Sequence, residues 1–170
     1  RPLLSVKYLL NRTGGDSFVD EDTRETLMPG YSYVKTDGGY YVYENDNYIP
    51  YGFSYDYYMS YEFCDNYSEE DRAAMMLKAI LLTDEQIEKY GHLFKDISTK
   101  HLTFTEYEGC DPSQIVNDEA ISYDSKKLAE TSAKYFKTDN KGFTARVERD
   151  KETLVFFSVP FDKGWSATVN

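Results

Sequence analysis

Residues that can catalyse reactions are numerous in this sequence, but none stands in a recognisable catalytic pattern. The two histidines, His92 and His101, are nine residues apart and lack the H-E-x-x-H spacing of a zinc-binding helix. There is no G-x-S-x-G nucleophile motif and no glycine-rich phosphate loop. The chain has 30 acidic residues, so carboxylate pairs are inevitable and spacing alone identifies none as a glycosidase dyad. We therefore predict no catalytic residue, no metal ligand and no cofactor in this chain.

Tyrosine is the side chain that could recognise a ligand, because the chain contains 17 tyrosines beside 10 phenylalanines. A ring with a polar tip suits stacking on sugars or packing at a protein interface. It also suits half-buried strands, and both interpretations stay open. The candidate binding residues are the rings of the tyrosine-rich stretches and the single tryptophan: Tyr40, Tyr41, Tyr43, Tyr57, Tyr58, Tyr61 and Trp165.

The two cysteines, Cys64 and Cys110, allow two interpretations. In an oxidising compartment they could form a disulfide that closes a loop of about 46 residues and adds roughly 4 kcal/mol of stability. Two partly buried thiols fit equally well. Neither cysteine belongs to a C-x-x-C motif, which argues against zinc or thioredoxin-like chemistry.

The charge of the chain limits its partners. Its formal net charge is −11 and its pI is about 4.6. Nucleic acid is therefore excluded as a partner, because phosphate binding needs clustered lysine and arginine. An anionic membrane surface is disfavoured for the same reason. No apolar run reaches the ~18 residues of a membrane span.

Strands are predicted near both ends of the chain. The first covers residues 3–10, with Val6, Tyr8 and Leu10 on one face. Residues 31–44 form a hairpin around Asp37-Gly38-Gly39, a sequence that supplies the positive φ angles of a tight turn. Residues 48–63 are predicted as an extended edge or loop. Alternation in residues 142–149, 154–159 and 165–169 predicts a three-stranded antiparallel meander, entered through a turn at residues 138–142.

Helices are predicted between these strands. Ser68 and Thr83 begin two capping boxes, and the first helix places Ala73, Met76 and Leu77 on one face and extends that face to residue 81. A third helix is predicted at residues 124–136, after a strand at 102–107 and a loop at 108–117. The predicted fold class is α+β: an antiparallel, sandwich-like sheet from N- and C-terminal strands, with about three helices inserted.

Three stretches together resemble one protein family. The C-terminal GFTARV and LVFFSVPFDKGWSATVN are similar to the closing extracytoplasmic segment of the YfhO family of bacterial multipass membrane proteins, with Phe161 where that family usually has tyrosine. LSVKY at residues 4–8 resembles a family strand, as does VYEN at residues 42–45, which Pro50 and Gly52-Phe53 follow. Residues 56–121 match nothing specific. The resemblance implies a structural role for seven matched positions: Tyr43, Glu44, Asn45, Pro50, Pro160, Gly164 and Trp165. Gly164 would form a turn, Trp165 would be a core or rim aromatic, and Asn45 would cap the end of a strand.

The resemblance implies a location and a context. Residues 1–170 are expected to be a single extracytoplasmic domain cut from a longer membrane protein, on the outer side of the cell membrane. The parent protein would resemble a glycosyltransferase that uses a lipid-linked sugar to modify an envelope polymer such as lipoteichoic acid. The family's presumed catalytic acids lie upstream, so none is carried over to this chain. An exterior location permits the Cys64–Cys110 bridge without requiring it.

Our leading interpretation is therefore a non-catalytic domain that positions glycan or braces the membrane part. Its partners would be its own transmembrane region and a cell-envelope glycan or lipid-linked sugar. One alternative is a protein–protein interaction module of the envelope that docks through the tyrosine-rich stretch. Another is a secreted carbohydrate-active domain with a carboxylate pair.

Overall fold

The computed structural model describes residues 2–14, 18–99 and 118–169. These residues combine antiparallel sheets near both ends with helices between them, so the predicted α+β class is confirmed. The strands form three separate sheets rather than one: β1-β3-β2, β5-β4-β6 and β7-β8. The predicted strand at 102–107 and loop at 108–117 lie outside the described residues, as do His101 and Cys110.

The N-terminal sheet contains the predicted hairpin. β2 (Tyr31–Asp37) pairs with β3 (Tyr40–Asn45) around Gly38 and Gly39, whose φ angles of +56° and +81° fit a two-residue turn. β1 (Tyr8–Arg12) pairs with the other side of β3. The first strand thus begins at Tyr8, later than predicted, because residues 2–4 form a 3-10 turn.

Asn45 closes the end of this sheet. Its Nδ2 donates to the carbonyl of Val6 at 2.9 Å, and its Oδ1 accepts the N–H of Asn47 at 3.0 Å. The side chain is 4% exposed, so these bonds satisfy an amide that would be costly to bury alone. In this structure the Asn45 side chain therefore closes the end of β3.

The middle sheet is parallel, which the sequence did not predict. β4 (Tyr57–Ser60) lies between β5 (Ile80–Leu82) and β6 (Lys95–Asp96) and pairs with both in parallel. The tyrosine-rich stretch thus supplies a central strand, and its interpretation as an edge or loop was wrong at these residues. Cys64, in the one-turn helix α1 (Tyr61–Cys64), is buried beneath this sheet with Met59 and Met75.

The first two helices begin where predicted, but the first ends earlier. Ser68 caps α2 (Glu69–Met75), and Thr83 forms a reciprocal capping box with Gln86 at the start of α3 (Asp84–Tyr90). The first helix stops at Met75 because the chain turns and then runs extended through β5 into the Thr83 cap, whose ψ is 162°. The predicted apolar face was right at Leu77, which is 5% exposed, but wrong at Met76, which is 39% exposed while Met75 is buried.

The third predicted helix is displaced toward the N-terminus. α4 covers Asp118–Glu130, and residues 135–136, which were predicted as helical, belong to β7 (Tyr135–Thr138). Thr131 ends the helix because its Oγ1 donates to the carbonyl of Leu128 at 2.7 Å and accepts the N–H of Ser54 at 3.0 Å. Lys78 and Asp124 form an ion pair at 2.5 Å that joins α4 to the turn after α2, with both side chains largely buried.

The predicted C-terminal meander was wrong. Only β8 (Phe143–Arg146) forms there, and it pairs with β7 rather than with the chain that follows. Phe156 instead makes an isolated antiparallel bridge to Phe53, and residues 160–169 are exposed without regular structure. The two terminal regions meet through Ser5 and Ser158, whose hydroxyl oxygens are 2.8 Å apart, and not through a shared sheet.

Residues 49–56, here called the central segment, connect all of these parts. Ile49, Phe53 and Tyr55 form one buried cluster with Leu77 and Leu128. The Tyr55 hydroxyl donates to the carbonyl of Met76 at 2.9 Å, and burial raises the pKa of this hydroxyl. The core of the protein therefore lies around the central segment.

Asp56 attaches the C-terminal region to the central segment. Its Oδ1 lies 2.7 Å from Lys151 Nζ and 3.7 Å from Arg149 Nη2. The hydrogen bond from Lys151 lowers the pKa of Asp56 below its ordinary value of 3.8, with further lowering by the charges of Lys151, Arg149 and Lys95. These contacts are half exposed to solvent, which screens them.

We expect Asp56→Asn to weaken the acid sensitivity of the fold. Because the folded-state pKa lies below the unfolded one, the contribution of Asp56 is present above about pH 4 and is lost as the pH falls through the folded pKa. Urea denaturation at neutral pH and near pH 3 should therefore show a smaller pH-dependent loss in the variant than in the wild type. Asp150→Asn, an exposed neighbour, serves as the charge-matched control. An unchanged pH dependence in Asp56→Asn would contradict the prediction.

Candidate functional site

The predicted binding residues are distributed over several parts of the structure. Tyr41 and Tyr43 are 8% and 0% exposed, and their hydroxyls donate to Glu21 Oε2 and to the carbonyl of Arg24. Their faces are closed to a ligand, which removes them as candidates. Tyr40 is half exposed, at the start of the same strand β3.

Three further candidates belong to the middle sheet and its first helix. Tyr57 and Tyr58 are half buried in β4; Lys95 Nζ lies 5.9 Å from the ring centre of Tyr57, and the Tyr58 hydroxyl donates to Asp96 at 3.3 Å. Burial, followed by the nearby charge of Asp96, raises the pKa of Tyr58. Tyr61 is 52% exposed at the start of α1.

Trp165 is the candidate that lies in a cleft. Two turns position it. In the first, Asp139 Oδ1 accepts the N–H groups of Lys141 and Gly142, at 2.7 and 3.0 Å, and closes the β7–β8 hairpin. This confirms the turn predicted at residues 138–142.

The second turn is the one predicted at Gly164. Asp162 Oδ1 accepts the N–H of Gly164 at 2.7 Å, and the Asp162 carbonyl accepts the N–H of Trp165 at 3.1 Å. The indole Nε1 then donates to the carbonyl of Pro160 at 3.2 Å. The indole is thus fixed in position while 46% of the residue remains exposed, which makes Trp165 a rim aromatic.

An aromatic row supports the indole from beneath. The Trp165 ring centre lies 5.7 Å from that of Phe143, which is 5.1 Å from Phe136 and 4.8 Å from Phe157. Phe136 in turn stacks on Tyr51 at 4.6 Å and an interplanar angle of 12°. This row leads from Tyr51 in the central segment to the half-exposed indole. Sequence reasoning missed it, although alternation in residues 142–149 did place Phe143 on one strand face.

The space beside Trp165 is an open cleft of about 210 Å³. Its walls combine ring faces with backbone and short polar groups, and comprise Asp139, Lys141, Gly142, Phe143, Gly164, Trp165 and Ser166. Asp139 is the carboxylate of this lining, and its Oδ1 already accepts two backbone N–H groups. The arrangement can therefore stack on and hydrogen-bond a small polar ring. Among the described residues that line the cleft, Asp139 is the one carboxylate, whereas glycoside hydrolysis uses two.

Three further sequence predictions concern a disulfide, metal ligands and membrane-spanning segments. Cys64 is 5% exposed, and Cys110 lies outside the described residues, so their bridge stays a prediction. Within the described ranges, no group of three or more histidine, cysteine, aspartate or glutamate side chains is placed to hold a metal ion. The helices of these same ranges are too short or too polar to cross a bilayer.

No protein-family model, curated protein or solved structure matches this chain.

Proposed function

We propose that this chain is a non-catalytic, extracytoplasmic domain of a YfhO-like membrane protein and that it holds a neutral sugar against Trp165. The single observation that carries the sugar-binding part is the half-exposed indole, fixed by two turns and lying over an open cleft with polar rims. Flat rings offer a sugar an apolar face, and nearby side chains and backbone groups can bond its hydroxyls.

The contacts between the family-like stretches support the rest of the proposal. The backbone carbonyl of Lys7, in the first stretch, accepts the backbone N–H of Asn45, in the second, at 2.8 Å. Phe53 exchanges two backbone hydrogen bonds with Phe156, at 2.7 and 3.2 Å, and Ser5 contacts Ser158. Residues of the family-like stretches therefore contact one another, as expected if these stretches form one structural unit. Through its parent protein, the domain would act in glycosylation of an envelope polymer such as lipoteichoic acid.

The charge of the domain favours a neutral ligand. At −11, the chain as a whole repels a phosphate-rich polymer at long range, and this effect weakens with salt. Docking of a protein through the tyrosine-rich stretch has less support, because Phe53, Tyr55 and Met59 of that stretch are buried.

A fluorescence titration tests the sugar site directly. Trp165 is the only tryptophan, so every change in indole emission reports on this cleft. Glycosides and short oligosaccharides of glucose, galactose and N-acetylglucosamine are the probes. We expect a saturable change with at least one of them. If none of these sugars changes the indole emission, the sugar-binding proposal is contradicted.

We expect Trp165→Ala to weaken binding of that sugar about tenfold or more, since a central aromatic contact is worth at least about 1.4 kcal/mol. Isothermal titration calorimetry measures the affinity without needing the indole. Tyr61→Ala, which removes a ring of similar exposure outside the cleft, should leave the affinity unchanged. Equal losses in the two variants would place the sugar elsewhere.

A further inference from the structure

The strand β1 has an open edge. Within the described residues it is the outermost strand of the N-terminal sheet. The carbonyl of Lys7 accepts the N–H of Asn45, and the N–H of Thr13 donates to the carbonyl of Gly39, so the odd-numbered residues of this strand bond to β3. The N–H and C=O groups of the even-numbered residues (Tyr8, Leu10 and Arg12) therefore point away from the sheet.

The two outer edges of this sheet differ in their protection. β2 has a register shift between Tyr33 and Lys35, and Lys35 pairs with Asp37 at 2.6 Å. Bulges and edge lysines are devices that prevent pairing with another strand. β1 has neither device between Tyr8 and Asn11, and Leu10 is 61% exposed. Only the β1 edge is therefore suited to adding a strand.

We propose that β1 pairs with β1 of a second copy of this chain. The pairing is antiparallel and centred on Leu10, and it joins two three-stranded sheets into one sheet of six strands. In this register Leu10 lies opposite Leu10 of the second copy, and Tyr8 lies opposite its Arg12. The sequence of β1 thus complements itself, as a two-fold interface requires.

Side chains on the exposed face of the sheet support a second copy as the occupant. Leu10 lies opposite Val42 in its own sheet, so pairing creates a continuous apolar row across both copies. The guanidinium of Arg12 can lie over the Tyr8 ring of the second copy, a favourable cation–π contact. Residues 7–13 contain no acidic side chain, so the contact avoids the excess negative charge of the chain. A strand of five residues buries little area, so the dimer is weak and forms only at high protein concentration.

Sedimentation equilibrium over an about 100-fold range of protein concentration measures the association. We expect a monomer–dimer equilibrium. Leu10→Lys, which places a charge on the open edge, should weaken dimerisation about tenfold or more. Val34→Lys is the matched control, because Val34 is 48% exposed on the protected strand β2. Circular dichroism verifies that both variants fold.

Amide exchange followed by NMR tests the register on the unmodified chain. As the concentration rises, the amides of Tyr8, Leu10 and Arg12 should become protected about tenfold, while those of Leu9 and Asn11, already bonded to β3, should not change. A chain that is monomeric throughout, or a dimer that Val34→Lys weakens as much as Leu10→Lys, would overturn the proposal. The proposal would also be overturned if the amides of Tyr8, Leu10 and Arg12 became protected only after vesicles of anionic lipid were added.

Discussion

Replacing Phe53 with alanine is expected to destabilise the fold by about 3–5 kcal/mol. The side chain is fully buried in the cluster around the central segment, and its ring centre lies 5.7 Å from that of Tyr55 and 5.1 Å from that of Phe156. Truncation leaves a cavity between these rings, because the surrounding structure relaxes only in part. Since domains of this size are stable by only about 5–15 kcal/mol, the loss is large.

Urea denaturation followed by far-ultraviolet circular dichroism measures this loss. The melting temperature should fall by about 6–20 °C, at about 2–4 °C per kcal/mol. Phe161→Ala is the control, because that ring is 88% exposed and its removal should change stability by less than about 0.5 kcal/mol. Similar losses in the two variants would show that Phe53 is not in the core.

Gly52→Ala is expected to be nearly as damaging, for two separable reasons. The φ angle of Gly52 is +76°, which costs a residue with a Cβ about 1–2 kcal/mol. An added Cβ would also lie 2.9 Å from Phe157 Cε1 and 3.0 Å from Ala133 Cβ, and such overpacking costs about 1–3 kcal/mol more. The total loss in unfolding free energy is therefore about 2–5 kcal/mol.

Gly38→Ala separates the two causes. Gly38 also has a positive φ, +56°, but an added Cβ there meets no atom within 4 Å. Chemical denaturation of both variants should therefore show a cost of about 1–2 kcal/mol at Gly38 and a larger one at Gly52. Equal costs would mean that the contacts of Gly52 with Phe157 and Ala133 contribute nothing.

Local chemistry in the sequence predicted local structure well. Asp37-Gly38-Gly39 supplied the positive φ angles of the hairpin, and Ser68 and Thr83 supplied oxygen atoms to the first turns of two helices. These features depend on neighbouring residues alone. Where each element ends was less predictable, because Thr131 ends α4 through a bond to Ser54, 77 residues away.

Strand pairing was predicted poorly for the same reason. Residues 154–159 have the composition of a strand, but Phe156 bonds to Phe53 and Phe157 packs into the aromatic row, so the segment does not continue the β7–β8 hairpin. The apolar residues of Ile80–Leu82 are compatible with a helix or with a strand. This segment is a strand because it pairs with β4. Side-chain periodicity does not specify which distant backbone will be the partner.

The candidate site was predicted in part. The turn at Gly164 followed from the C-terminal sequence, whereas the resemblance left Trp165 as either a core or a rim aromatic. The other rings of the aromatic row could not be selected, because tyrosine and phenylalanine are so common here that burial alone separates candidates from core residues. Tyr43 and Tyr40, three residues apart on one strand, illustrate this: one is fully buried and the other half exposed.

The position of the central segment along the chain also determines when the protein can fold. Residues 49–56 leave the ribosome well before Thr131 and Phe156, to which Ser54 and Phe53 bond. The N-terminal hairpin can form from its own local contacts, whereas the apolar residues of the central segment stay without their final neighbours until most of the chain has emerged. During synthesis these apolar residues therefore lack their final cover until the C-terminal aromatic residues emerge, and in that interval the chain is most prone to aggregate.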